Sequence, residues 1–431
     1  MADRIEKPRG TNDLFGDDKR LYDSLVEELS SSALRFGASP IEPPHFEEES
    51  LFVRGVGESS DIVSKEMFRL DVKGEHEYVL RPEYTAGVNR LVIENKLYAS
   101  PDLPLRFYYA GPVFRFERPQ KGRLRELHQF GIEFLDTKID QLTALDALLL
   151  FYRGAEEALG RELLLKINYL GSFASREKYK AALKNFYQDK LPLMCEDCHR
   201  RFETNVLRIL DCKVPSDIEI NKDAPYITDY LEPEDEKSLE DTEKALESLN
   251  IPYKLEPRLV RGLDYYTGLV FELYDPMNMD LGAIGGGGQY GSLMEEIGGP
   301  SFEGIGFSYG IERLMMSLDQ EAKDRLIKSV KPPLDYFIID LRKEKDLVPV
   351  ILLDELRSAG RLCSSASYQK ALSGSLKMAD RLQSKVALIF DDYNPGMVIV
   401  KDMLTREQEV IKAEEAENIM AYLMKKEKKV C

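Results

Sequence analysis

Hydrophobic and polar positions alternate most regularly between residues 106 and 136. Phe107–Phe114 has the composition of a strand, and a later run sets Phe130, Ile132 and Phe134 at the two-residue period of a strand that buries one face. The residues between the two runs are polar and mostly basic. The segment therefore predicts an antiparallel hairpin with a charged loop.

The rest of residues 1–330 mixes helical and strand patterns. Apolar residues at helical spacing predict helices at Leu21–Phe36, Gln141–Leu159 and about 309–318. Short apolar runs predict strands at Met67–Leu70, Tyr78–Leu80, Pro252–Leu255, Leu269–Tyr274 and Ala283–Gly286. Because most strands follow one another along the chain, the pattern favours an α+β fold with an antiparallel sheet flanked by helices.

Two further segments differ in character. Residues 173–229 are mainly helical and lie between strand-rich segments, which predicts a helical insertion. Lys331–Pro333 is a linker signal, and from Leu334 onward strands and helices alternate as in a small α/β domain. The elements predicted there are Tyr336–Ile339, Leu347–Ser358, Ser375–Leu382, Val386–Phe390, Met397–Lys401 and Glu415–Lys426. The predicted domain boundaries are 1–170, 171–230, 231–328 and 332–431, and the first and third segments form one split domain.

Composition limits the functional classes. The chain has 431 residues and a net charge of −17, so any contact with RNA needs local basic patches rather than diffuse attraction. The N-terminus is charged, and no run of about 18 apolar residues occurs. These features predict a cytoplasmic protein with no membrane segment.

The five cysteines do not form a secreted disulfide framework. Cys195, Cys198 and His199 match a haem-attachment pattern, but no export signal accompanies them. Cys212 lies close enough in sequence to suggest zinc, with His199 or a distant residue as fourth ligand. Structural or incidental cysteines are the leading interpretation, zinc is second and haem is last.

The hairpin loop carries a cluster of basic residues around one carboxylate. Its charged members are Arg115, Glu117, Arg118, Lys121, Arg123 and Arg125. Arginines on a rigid hairpin can hold phosphates bidentately, which predicts a polyphosphate site. A solvated hairpin edge is the alternative for this loop taken alone.

Two other segments point to the same chemistry. Arg313 begins a helix behind a glycine-rich strand, where it could grip the end of a triphosphate opposite Arg115. Leu259–Gly268, LVRGLDYYTG, offers Arg261 for charge stabilisation, Asp264 to orient a cation, and two tyrosines. Each segment alone also fits a structural role.

Together these segments resemble the histidyl-tRNA synthetase family of class II aminoacyl-tRNA synthetases. Pro44 in FGASPIEPPHFEE resembles motif 1 at a dimer interface, FRFERPQKGRLRELHQFGIEF resembles motif 2, and GIGFSYGIERL resembles motif 3. LVRGLDYYTG and GGGGQYG resemble the two histidine-specific motifs, and LRPEYTAG resembles the amino-acid-binding loop. The resemblance covers almost the whole chain and implies a C-terminal anticodon-binding domain and a homodimer.

The resemblance also implies residue roles. Arg115 and Arg313 would bind the α- and γ-phosphate ends of ATP. Glu117 would contact adenine, and Arg123 the pyrophosphate side or the tRNA acceptor end. Arg261 would contact the α-phosphate and the histidine carboxylate. The implied histidine-binding residues are Glu83, Thr85, Gln129, Glu133, Arg261, Tyr266 and Tyr290.

The implied reaction joins histidine to ATP and then to tRNA. The histidine carboxylate attacks ATP to give histidyl-adenylate and pyrophosphate, and the histidyl group then passes to the terminal ribose of tRNA(His). Mg²⁺ would accompany the β- and γ-phosphates rather than occupy a protein cage.

Several positions depart from the family pattern, among them Gly291, where the family usually has aspartate. Tyr84 stands where the family usually has glycine, Gln289 where it has arginine, and Leu127 where class II enzymes often have an aromatic ring. A histidine-sensing regulatory paralogue is the main alternative, although Arg261 and the C-terminal segment are both present. A class II synthetase for proline, threonine or glycine is a weaker alternative.

Overall fold

The computed structural model describes residues 4–57, 60, 62–74, 76–263, 265–330, 333–412 and 416–427. The chain divides into two compact units, Met1–Ile327 and Lys328–Cys431. Asp264 and the linker residues Lys331 and Pro332 lie outside the described residues. Every helix in the described part of the chain is too short or too polar to cross a membrane.

The first unit contains one large sheet and one small sheet. Its strands are β1 Ser39–Pro40, β2 Phe46–Glu48, β3 Phe68–Arg69, β4 Tyr78–Leu80, β5 Leu105–Phe114, β6 Glu126–Asp136, β7 Leu164–Tyr169, β8 Tyr253–Leu255, β9 Tyr266–Tyr274, β10 Gly285–Tyr290 and β11 Glu303–Gly310. Eight of them form a sheet in the order β1-β5-β6-β11-β10-β9-β7-β8, and β2-β4-β3 form a small second sheet. Only the outer pairs β1/β5 and β7/β8 are parallel, which confirms the predicted antiparallel fold.

Helices surround this sheet. They are α1 Gly16–Arg35, α2 Glu49–Val56, α3 Thr85–Glu94, α4 Gln141–Leu159, α5 Phe173–Gln188, α6 Glu196–Thr204, α7 Pro215–Asn221, α8 Pro233–Ser248, α9 Leu293–Glu296, α10 Ile311–Ser317 and α11 Gln320–Val330. Short 3₁₀ turns lie at Leu97–Ala99, Leu191–Leu193, Val206–Asp211, Ile227–Tyr230 and Met279–Leu281, and a π turn lies at Ile62–Glu66.

Strand alternation gives the large sheet two different faces. Phe130, Ile132 and Phe134 on β6 are almost completely buried in a core shared with α1, α4 and α10. Burial of each such side chain contributes about 1.5–3 kcal/mol. The alternate residues of β6, including Gln129 and Glu133, point to the opposite face, where α2, α3 and α9 enclose a second core. The polar members of β6 are thus held on one rigid surface.

Several predicted boundaries need correction. β10 occupies the glycine-rich stretch that was predicted to follow a strand at 283–286. Its glycines fit between β9 and β11 because a Cβ on Gly287 would lie 2.1 Å from Gly306 O. The helix expected from about Tyr309 begins at Ile311, since Tyr309 is a buried residue of β11, which ends at Gly310. β7 and α8 were not predicted at all.

The segment between β7 and α8, where the sequence predicts an insertion, is helical. Its helices enclose a small core that includes Tyr179, Leu183 and Cys198. Asp235 on α8 accepts hydrogen bonds from Ser172 N at 2.8 Å and from Ser175 Oγ at 2.6 Å. These contacts fasten the start of α5 to the strand-rich part of the unit.

The second unit is a five-stranded mixed sheet with helices. Its elements are β12 Tyr336–Asp340, α12 Val348–Ser358, β13 Cys363–Ser365, α13 Leu372–Arg381, β14 Val386–Phe390, β15 Met397–Asp402, β16 Gln408–Lys412 and α14 Ala416–Glu427. The order is β13-β12-β14-β15-β16, with the first three strands parallel. β13 and β16 were not predicted because the first is short and serine-rich and the second is an edge strand with few apolar residues.

Candidate active site

A cavity of about 370 Å³ opens on the α3 side of the large sheet. Its lining includes all eleven residues that the sequence predicted to bind ATP or histidine, namely Glu83, Thr85, Arg115, Glu117, Arg123, Gln129, Glu133, Arg261, Tyr266, Tyr290 and Arg313. They come from α3 and the loop before it, the β5–β6 hairpin, β9 and the loop before it, β10 and α10. Their separate segments therefore converge on one site.

Glu133 is the centre of the inner end of this cavity. Its carboxylate accepts hydrogen bonds from Thr85 Oγ1 at 2.7 Å and Tyr290 Oη at 2.7 Å, and from Tyr109 Oη at 3.4 Å. Burial raises the pKa of Glu133 to about 8, against the lowering effect of the Thr85 and Tyr290 hydrogen bonds. The site thus holds a carboxyl group that gains or loses its proton near neutral pH.

Side chains in the cavity lie across glycines on neighbouring strands. Glu133 is paired in register with Gly306, and Tyr290 is paired with Gly304. A Cβ on Gly306 would lie 2.0 Å from Glu133 Oε2, and one on Gly304 would lie 2.2 Å from the Tyr290 ring. Both side chains can therefore lie flat against the sheet only because the partner strand has no side chain there.

Glu83 organises the start of α3. Its two carboxylate oxygens accept from Thr85 N at 2.7 Å and Ala86 N at 2.9 Å, which satisfies two of the free N–H groups of the first turn. Burial raises the pKa of Glu83 while these backbone hydrogen bonds lower it. The arrangement fixes Thr85, whose hydroxyl then points to Glu133.

Arg261 lies over the sheet next to this cluster. Its guanidinium donates to Glu272 Oε1 at 2.6 Å, and a Cβ on Gly286 would lie 2.5 Å from Arg261 Nη1. Gly286 and Glu272 are register partners on β10 and β9. Gly286 leaves space for the guanidinium group, and Glu272 accepts its hydrogen bond. Burial lowers the pKa of Arg261, but Tyr266 and Glu272 raise it above the ordinary value. Arg261 is therefore a permanent positive charge in the site.

A second group of cations lies at the outer end of the cavity. Arg313 donates to Gly122 O at 2.9 Å and to Ala283 O at 2.5 Å, and Arg115 donates to Pro82 O at 2.9 Å. Burial and then the positive charge of Arg123 lower the pKa of Arg313. Backbone carbonyls orient these guanidinium groups without neutralising them, which leaves positive charge for an anionic ligand.

Sequence reasoning missed Tyr109 and Glu272 as site residues. Tyr109 lies 3.4 Å from the Glu133 carboxylate, and Glu272 holds Arg261. The signal for Glu272 was available, because it stands in β9 between Phe271 and Leu273, which face the opposite core. A carboxylate on the other face of such an apolar series indicates a partner there.

Three of the departures from the family pattern have local structural partners. Tyr84 is buried, stacks on Tyr109 with ring centroids 4.0 Å apart, and accepts a hydrogen bond from Arg81. Gln289 Oε1 accepts from Leu269 N at 2.7 Å at a bulge between β9 and β10. Leu127 lies half-buried in the cavity lining. Tyr84 and Gln289 are thus integrated into the packing around the site.

The matches to known proteins agree with this geometry. The family model described as histidyl-tRNA synthetase matches residues 10–314. The chain belongs to the histidyl-tRNA synthetase family. A histidine–tRNA ligase from Thermosipho melanesiensis is 40% identical over 406 residues, which cover 94% of this chain and 95% of that protein. One from Staphylococcus aureus is 39% identical over 428 residues, covering 98% and 100%.

Solved structures of the histidyl-tRNA synthetase family show the same fold. The apo histidyl-tRNA synthetase of Staphylococcus aureus superposes with a TM-score of 0.76 at 31% identity, covering 95% of this chain and 98% of that one. The similarity extends through the second unit as well as the first. The family resemblance predicted from the sequence motifs is therefore confirmed.

Proposed function

We propose that this chain is an ATP-dependent histidine–tRNA ligase. The observation that carries the proposal is the cavity in which Arg261, held by Glu272, lies beside the hydroxyl-bound carboxylate of Glu133. A fixed cation next to a buried polar cluster suits an amino acid whose carboxylate reacts while its side chain is recognised. Membership of the histidyl-tRNA synthetase family supplies the identity of that amino acid.

The inner cluster is the proposed histidine pocket. An imidazole has two ring nitrogens and needs a polar partner for each, and a buried carboxylate with neighbouring hydroxyls offers them. Glu133 and Tyr290 would meet the ring, while Glu83, Thr85, Gln129 and Tyr266 would complete the pocket around the ring and the amino group. A competitor without ring nitrogens would leave these groups unpaired, so the site would reject it strongly.

The outer cluster is the proposed ATP site. Arg115 and Arg313 would bind the two ends of the triphosphate, Glu117 would contact adenine, and Arg123 would lie near the pyrophosphate or the tRNA acceptor end. Arg123 Nη1 and Glu117 Oε2 are 3.5 Å apart, so the carboxylate also orients that arginine. These positions would hold the α-phosphorus open to in-line attack.

Arg261 would stabilise the charge that develops when the histidine carboxylate attacks the α-phosphorus. The new bond joins the carboxylate oxygen to phosphorus as the bond to pyrophosphate breaks. Mg²⁺ would be held chiefly by the β- and γ-phosphate oxygens, because Glu117 and Glu272 already pair with arginines. When bound it would neutralise the leaving pyrophosphate.

The remaining assignments follow from the same family. We propose that tRNA(His) receives the histidyl group, that Arg123, Arg125 and the second unit contact it, and that the second unit reads its anticodon. We also propose a homodimer through the Pro44 segment and a cytoplasmic location. Arg81 Nη1 donates to Pro43 O at 2.7 Å, which ties this proline segment to the loop that carries Glu83.

Histidine-dependent exchange of pyrophosphate into ATP tests the proposal. The full chain is assayed with each of the twenty amino acids, and exchange with histidine alone is expected. Histidine binding without any exchange would instead favour the regulatory alternative. Exchange with another amino acid would show that the inner pocket has a different specificity.

A further inference from the structure

Three cysteines and one aspartate meet in the core of the helical insertion. Cys195 precedes α6, Cys198 lies in the first turn of α6, and Cys212 follows the turn Val206–Asp211. Asp217 on α7 completes the group. The four ligand atoms lie within 4.8 Å of one another, and no other such group of His, Cys, Asp or Glu occurs among the residues that the structure describes.

The distances within this cluster match those around a tetrahedral metal ion. Cys195 Sγ and Cys212 Sγ are 3.8 Å apart. Zn–S bonds of about 2.3 Å at tetrahedral angles place two sulfur ligands about 3.8 Å apart. Cys212 Sγ lies 3.3 Å from Asp217 Oδ2, and a sulfur and an oxygen on one zinc ion are about 3.5 Å apart. These two separations are therefore compatible with coordination of one ion by the cluster.

Asp217 distinguishes this cluster from a simple group of buried thiols, because it adds a buried carboxylate to the three sulfur atoms. Its side chain is fully buried in an otherwise apolar core, where an ionised carboxylate is costly unless it has strong partners. Its contacts include the weakly donating thiol of Cys212, the Ser216 hydroxyl at 3.0 Å and the backbone N–H of Cys195 at 3.1 Å, and all of these donors are neutral. This N–H fixes the orientation of the carboxylate and leaves it directed at the sulfur atoms.

We propose that Cys195, Cys198, Cys212 and Asp217 bind one Zn²⁺ ion. Binding replaces the proton of each thiol by a bond to zinc, so three protons leave to solvent and the site carries a net charge of about −2. Cys195 lies at the N-cap of α6, which begins at Glu196, and Cys198 lies in its first turn, so two of the ligands are held by one short helix. His199 is exposed, so Asp217 takes the place that sequence reasoning gave to that histidine.

The proposed ion would organise one wall of the active-site cavity. The turn Val206–Asp211 ends at Cys212 and contributes Arg208 and Asp211 to the lining of the cavity. Zinc would join the end of this turn to α6 and α7, which fixes where Arg208 enters the site. The insertion would then be ordered by metal coordination as well as by its small apolar core.

Zinc content of the full-length chain is the direct test. The protein is purified under reducing conditions without chelators, and zinc is measured by inductively coupled plasma mass spectrometry against protein concentration. About one zinc per chain is expected. Cys198→Ser should lose most of the zinc, whereas Cys363→Ser, which alters β13 in the second unit, should keep it.

Cobalt substitution makes the test independent of how well a variant folds. Wild-type chain depleted of zinc and titrated with Co²⁺ should show thiolate-to-cobalt charge-transfer bands and intense visible bands of tetrahedral cobalt. Zinc no higher than in Cys198→Ser, together with the absence of these bands, would overturn the proposal. An intact mass showing a Cys195–Cys212 disulfide in the reduced preparation would also overturn it.

Discussion

The carboxylate of Glu133 lies against Gly306, its register partner on β11, so closely that a Cβ there would be 2.0 Å from Glu133 Oε2. The glycine allows the glutamate to be buried against the sheet instead of extending into solvent. Burial is also what raises its pKa, so backbone sterics and acid–base chemistry are linked at this position.

The raised pKa of Glu133 predicts a pH-dependent contribution to stability. A folded-state pKa of about 8 against an ordinary value of 4.5 means that the folded chain holds a proton that the unfolded chain releases between these pH values. The contribution of Glu133 to the free energy of unfolding is therefore fully present below pH 4.5 and is lost as the pH rises through 8.

Glu133→Gln removes that titration, so its melting temperature should rise relative to wild type as the pH increases from about 5 to 8. Thermal unfolding of both proteins across this range measures the difference. A constant difference would show that Glu133 titrates alike in both states. Glu321→Gln, on the surface of α11, serves as the control.

Arg261→Ala is expected to lower histidine-dependent exchange by roughly a hundred- to a thousandfold, because the lost charge acts mainly as the α-phosphate reacts. Histidine affinity, measured by calorimetry, should change far less. Arg258→Ala is the matched control, since Arg258 stacks on Tyr226 4.3 Å away and is absent from the cavity lining. Exchange at the wild-type rate would remove Arg261 from the mechanism.

Tyr84→Phe is expected to destabilise the fold by about 1–3 kcal/mol, because the buried Arg81 loses the hydroxyl to which it donates. Tyr84→Gly restores the usual family residue but leaves a void against Tyr109, and should cost about 3–5 kcal/mol. Chemical denaturation of the first unit's transition measures both. Tyr393→Phe, at a position 93% exposed, should be neutral. Equal stability of all three variants would show that the contacts of Tyr84 with Arg81 and Tyr109 do not stabilise the fold.

Gln289→Ala should leave Leu269 N without its acceptor at the β9–β10 bulge and cost about 1–3 kcal/mol. Because Tyr290 follows directly, the KM for histidine in the exchange assay should also rise. Gln289→Glu retains a side-chain oxygen at the same reach and should lose much less. If both substitutions behaved alike, the hydrogen bond to Leu269 would not be what matters at this position.

The chain should sediment as a homodimer at micromolar concentration, with twice the chain mass of 49.3 kDa. Analytical ultracentrifugation over a range of concentrations measures this. Sedimentation of monomer alone would contradict the proposed role of the Pro44 segment. Retention of full exchange activity by such a monomer would separate assembly from catalysis.

Long periodic elements were predictable from the sequence, and elements defined by neighbours were not. α4 was predicted with its observed limits, because nineteen residues of helical spacing lie between a capping Asp140 and Gly160. β10 was placed too early because four successive glycines carry no strand signal, and only the strands on either side explain them. Short edge strands such as β13 are difficult to predict for the same reason.

The same distinction applies to the site. The eleven residues predicted to bind ATP or histidine all line the cavity, whereas Arg118, Lys121 and Arg125 of the same hairpin are absent from its lining and Asp264 lies outside the described residues. Tyr109 was missed because it gains significance only from its contact with Glu133 on the neighbouring strand, whereas the position of Glu272 on the polar face of β9 could have indicated its role. Asp217 was missed for a similar reason, since nothing in its sequence neighbourhood connects it with Cys195.

Part of the cavity floor consists of main chain, since Gly285, Gly286 and Gly306 contribute to its lining. Substitution of Gly286 would force Arg261 away, and substitution of Gly306 would displace Glu133. Any side chain added at either of these two positions would therefore displace an ionisable group that lies on the floor. New amino-acid specificity would therefore have to arise through the walls, where Tyr84 and Leu127 are two positions at which this chain already differs from the family pattern.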